Sequence, residues 1–99
     1  MTYIQAIQDA IRHVHGCESH HIESIHVHEE FQGQIVWSGA VEVFDLIDHP
    51  QAKQCYAWGF KNDVDKWQYV AVLQVTPIDS PRKAVQAHVL AVRQGKATS

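Results

Sequence analysis

"QCYAWGF", residues 54–60, alternates small Cys55, Ala57 and Gly59 with large Tyr56, Trp58 and Phe60. Successive side chains of a strand point to opposite faces, so the segment reads as a strand with one smooth row and one bulky row. Which row meets the rest of the chain decides the architecture. If helices lie over the small row, Tyr56, Trp58 and Phe60 face outward as an exposed aromatic surface, of the kind that marks an interface. If the bulky row is the core, the small row is exposed and the domain carries no such patch. The first arrangement makes Tyr56, Trp58 and Phe60 the expected binding surface.

The neighbouring segments extend the sheet. After the polar turn "KNDVD", "KWQYVAVLQV" (66–75) alternates Trp67, Tyr69, Ala71 and Leu73 with Gln68, Val70 and Val72. Upstream, strands are expected at 22–30 and 34–46, where Ile25 and Val27, then Ile35, Trp37, Val41 and Val43, recur with a period of two. A three-residue loop of Phe31, Gln32 and Gly33 would place Val27 opposite Trp37 and His28 opposite Val36, so that the apolar sets share a face. A two-residue loop would instead turn His26 and His28 toward the core. "DHPQAK" ends the second strand, because Pro50 cannot donate to a ladder and restricts His49 before it.

Helices flank the sheet. Ile4, Ile7, Ile11 and Val14 form an apolar stripe over 3–15, with Thr2 as N-cap and Gly16 as the C-terminal stop. Ser80 and Pro81 open a second helix over 81–94, whose stripe is Ala84, Val85, His88, Val89 and Val92 and which Gly95 stops before a polar tail, 95–99. The chain thus reads as one α+β domain over residues 1–99: a two-layer helix, antiparallel β meander and helix, with both helices on one face of the sheet.

Composition narrows the function classes. Ninety-nine residues with 45% hydrophobic content are enough for a modest core without metal or disulfide, so no cofactor is expected. Only Cys17 and Cys55 are present, outside any CxxC pair, which suits reduced thiols. No apolar run is long enough to span a membrane, and "MTYIQAIQDAIRHV" is too polar for a secretory core, so a cytoplasmic location without membrane contact is expected. Eight basic against eleven acidic residues give a net charge of −3, which disfavours a general phosphate-binding surface.

"HVHGCESHHIESIHVHEE" (13–30) holds six of the eight histidines. Zn or Ni binding needs three or four converging ligands, and only His26, His28 and Glu30 share one strand row, which suits adventitious metal binding or simple protonation more than a built site. Asp48, His49 and Cys55 supply the residue types of a thiol enzyme, but Cys55 belongs to the small packing row, and Glu42, Asp45 and Asp48 have nothing to set one carboxylate apart. No catalytic residue is therefore assigned. The expected role is a non-enzymatic interaction module, its partner a second copy or another protein.

Two resemblances bear on this reading. The stretch Gly39, Val41, Glu42, Val43, Phe44, Leu46, His49, Pro50, Ala52, Cys55, Tyr56, Ala57 and Trp58 resembles a group of small bacterial proteins of uncharacterised activity and similar length. The element order is similar to that of the double-stranded-RNA-binding domain, and "SPRKAVQAHVL" is similar to that family's second helix. The likeness implies a nucleic-acid contact through Arg82 and Lys83, although the family's Lys-rich helix start is missing here.

Overall fold

The structure is a computed structural model that describes residues 2–93, without the side chain of Arg93. Its elements are α1 (Tyr3–His15), β1 (Ser19–Phe31), β2 (Gln34–Leu46), β3 (Gln54–Lys61), β4 (Trp67–Leu73) and α2 (Pro81–Arg93). The α+β class, the element order and the antiparallel sheet in order β1-β2-β3-β4 are as the periodicities dictate. β1 begins three residues earlier than expected and β4 ends two earlier. The expected helix end at 94 and the tail 95–99 lie outside the described residues.

Helix placement corrects the two-layer expectation. Ile7 and Ile11 of α1 pack with Phe44, Cys55 and Ala57. Ala84 and Val85 of α2 pack with Val27, Val41, Val43, Tyr56 and Trp58. Cys55 and Ala57 alternate with Tyr56 and Trp58 along β3, so α1 and α2 lie on opposite faces and the domain has three layers. The physical reason is that both rows of β3 are apolar, and a strand apolar on both faces must be covered on both. The small row lets α1 approach closely, while the bulky row fills the space beneath α2.

α1 is closed at both ends by local chemistry. Thr2 Oγ1 accepts from Gln5 N at 3.1 Å and Gln5 Oε1 accepts from Thr2 N at 3.0 Å, a reciprocal pair that occupies two otherwise orphaned donors. Gly16 ends the helix at φ 70°, a left-handed conformation that costs glycine little.

The β1–β2 hairpin reconciles two demands that a single loop length could not. Gln32 and Gly33 form a two-residue turn, both at positive φ, with Phe31 opposite Gln34. Continued unbroken, that register would put His26 and His28 on the core side. A shift between Glu29 and Glu30 leaves Val36 extra, and beyond it Val27 faces Gly39 and Ile25 faces Val41. The expected three-residue loop and the Val27–Trp37 pairing are corrected, but the apolar sets do share one face. A second shift at Ile22 lets Ser19 and His21 join Phe44 and Leu46 on the α1 side.

β2 and β3 pair only from Glu42–Ala57 to Asp45–Gln54. Past that seam the two hairpins diverge, and the Gly59 N–H donates to Tyr3 Oη at 2.7 Å. Gly59 is required there, since a Cβ would stand 2.9 Å from the Tyr69 ring and 3.0 Å from that of Tyr3.

Candidate functional site

The expected aromatic surface is not a surface. Tyr56 is 3% and Trp58 2% exposed, both beneath α2, and Phe60 is half-buried beside them. The Tyr56 hydroxyl is reached by Gln74 Nε2 at 2.9 Å, whereas Trp58 Nε1 has no hydrogen-bond partner. These three residues are core because a second helix occupies the face that a two-layer fold would leave open.

The expected phosphate contacts are engaged elsewhere. Arg82 Nη1 lies 2.8 Å from Glu29 Oε1, and Lys83 Nζ lies 3.1 Å from Asp79 Oδ1. A basic pair already opposed by carboxylates offers little to a polyanion.

The histidine row divides by face. His26 and His28 stand exposed on the α1 side of β1, opposite Ala40 and Ser38, and His28 Nε2 lies 3.6 Å from Glu30 Oε1. Among the described residues no three His, Cys, Asp or Glu side chains are grouped to hold a metal ion. His49 serves the turn after β2: its Nδ1 accepts from Gln51 N and Ala52 N, both at 3.1 Å, which places its proton on Nε2. Cys55 is fully buried, and loss of water, aided by the nearby Cys17, pushes its thiol up to about 12. Such a thiol holds almost no thiolate at neutral pH and is a poor nucleophile.

One polar constellation escaped the sequence reading. Glu42, placed outward by its alternation, is 4% exposed, because the α1 side of the seam is covered rather than open. His21 Nε2 donates to its Oε1 at 2.8 Å, and the Ser24 hydroxyl donates to the same oxygen. These bonds replace the water that burial removes. The order differs from that of a nucleophilic triad, in which an imidazole stands between hydroxyl and carboxylate. Here the carboxylate stands between the two donors, so the serine is not activated. His21 also leans on the Phe44 ring at 5.2 Å, which fixes its orientation. The cluster anchors β1 to β2 where the apolar core ends.

Exposed large apolar side chains are spread over the molecule, with Val14, Ile35, Val64 and Trp67 among them, and those on α2 are accompanied by cavities. Val36, Trp37, His88, Val89 and Val92 bound a cavity of about 300 Å³. Phe31, Val36, Val89 and Leu90, with Glu29, Glu30 and Gln86, bound a second of about 190 Å³. The two share Val36 and Val89, but His88 and Val92 lie on one side of Val89 around the helix and Gln86 and Leu90 on the other, so the cavities open on the two flanks of the last turns of α2 above the hairpin tip. Leu90 and Val92 are 56% and 52% exposed. The sequence signal was the α2 stripe, which continues through Val89, packed against the core, to Val92, which is exposed.

No protein-family model, curated protein or solved structure matches the chain. No helix among the described residues is long and apolar enough to cross a membrane.

Proposed function

We propose that the protein is a non-enzymatic self-association module whose docking surface is the apolar margin where the last turns of α2 meet the β1–β2 hairpin tip. The observation that carries this reading is the pair of apolar cavities on the two flanks of α2, one lined by Val92 and the other by Leu90, both of them exposed. Exposed apolar area of this kind is covered in the functional state. A second copy is the occupant we propose, because the same apolar residues on two copies can cover one another across a two-fold axis.

Sedimentation equilibrium from low to high micromolar concentration tests the reading. The expected result is a monomer–dimer equilibrium that Leu90→Asp shifts to monomer without changing the circular dichroism spectrum. A wild-type chain that stays monomeric throughout, or a Leu90→Asp variant that dimerises as well as wild type, overturns it.

A further inference from the structure

His26, His28 and Glu30 follow one another at every second position of β1, so alternation sets them in one row, with neighbouring Cα atoms about 6.5 Å apart. All three are exposed. Their neighbours across the hairpin are Ala40, Ser38 and Ile35, and the two opposite the histidines are too small to crowd an imidazole. The backbone beneath the row is held in place, because Val27, between the two histidines, points the other way into the core under α2 and is 4% exposed. A fixed strand thus carries three exposed side chains with ligating atoms.

Two of those atoms already converge. His28 Nε2 lies 3.6 Å from Glu30 Oε1, too far for a hydrogen bond. Ligands about 2.0–2.1 Å from a tetrahedral ion stand about 3.3–3.4 Å from one another, so this pair is close to the separation that a shared ion imposes. His26 stands outside that convergence, which is why no three such groups are gathered among the described residues. The other histidines are engaged or distant. His21 Nε2 bonds Glu42, His15 Nε2 donates to the Ala71 carbonyl at 3.0 Å, His49 Nδ1 accepts from Gln51 and Ala52, and His88 packs on Trp58 and Phe60. His13 belongs to α1, and His20 is at the opposite end of β1 and faces the other way.

We infer that His26, His28 and Glu30 bind one divalent first-row transition cation at the surface of β1. His26 completes the set by turning its ring over Ala40 toward His28, a rotamer change open to an exposed imidazole. Two imidazole nitrogens and one carboxylate oxygen suit Zn(II) and Cu(II), whereas Mg(II) and Ca(II) require oxygen ligands. The Irving–Williams order then ranks Cu(II) above Zn(II). Three protein ligands leave the remaining positions of the ion to water. Both histidines face away from α2, so the site does not rest on the docking surface proposed above.

The test is isothermal titration calorimetry of the untagged chain with Zn(II), Cu(II) and Mg(II), on wild type, His26→Gln, His28→Gln and Glu30→Gln, together with NMR line broadening by sub-stoichiometric Cu(II). The expected result is one ion per chain in the micromolar range, with Cu(II) tighter than Zn(II) and no Mg(II) bound. Either histidine substitution is expected to lower the affinity about tenfold or more, and Glu30→Gln to lower it less. Cu(II) is expected to broaden the signals of Val27, Ser38 and Ala40 first. Zn(II) and Cu(II) affinities unchanged in His28→Gln, or broadening that begins at His13 or His20, overturn the site and leave an adventitious ion only. Binding no tighter than millimolar overturns it too. Should a variant fail to fold, the broadening map of the wild-type chain decides alone: signals around Val27 that persist while others vanish overturn the site.

Discussion

The two helices cover rows of opposite size on β3. α1 is capped at both ends and places Ile7 and Ile11 fully out of water against Phe44, Cys55 and Ala57. α2 buries Ala84 and Val85 equally well and leaves Leu90 and Val92 exposed on cavities shared with the hairpin tip, while α1 leaves Val14 exposed at its end. The small row of β3 lies under α1, whereas the bulky row and Trp37 lie under α2, where cavities open beside its last turns. Side-chain size on one strand thus distinguishes a closed face, with Ile7 and Ile11 fully buried on it, from a face with cavities at its margin.

Three substitutions measure that contrast. Ile11→Ala removes a branched side chain from the closed face and is expected to cost about 2–5 kcal/mol in chemical denaturation. Gly59→Ala forces a Cβ against Tyr69 and Tyr3 and is expected to cost about 1–3 kcal/mol, with loss of the Tyr3–Gly59 hydrogen bond visible as faster exchange of the Gly59 amide. Val92→Ala, on the margin of α2, is expected to stay within about 0.5 kcal/mol of wild type at concentrations where the chain is monomeric. A Val92→Ala loss as large as that of Ile11→Ala would show that the margin is as tightly packed as the closed face, and the contrast would fail.

Much of the fold was legible from local pattern. The bounds and caps of α1, the extents of β2 and β3, and the Ser80–Pro81 start of α2 each depend on residues within one turn or one strand. Helix placement was not, because alternation tells which residues share a face of β3 but not which face a distant helix selects. Tyr56 and Trp58 were misplaced for that reason alone. The hairpin register failed differently: Gln32–Gly33 demands a tight turn and the Ile25/Val27 row demands the opposite parity, and the chain meets both by leaving Val36 extra. Glu42 shows a third kind of limit. Its burial depends on His21, twenty-one positions away, which reaches it only because β1 shifts register at Ile22.

The short seam between β2 and β3 has a consequence for how the chain reaches this shape. Each strand pairs with its neighbour in sequence, so the whole sheet can zip from contacts close along the chain. The distant contacts are those of α1 with β4 and of α2 with β1, which bring the two ends of the molecule onto a sheet built between them. Loop-closure entropy is therefore concentrated in two docking events rather than spread over the strands. The order of assembly this favours is sheet first and helices last.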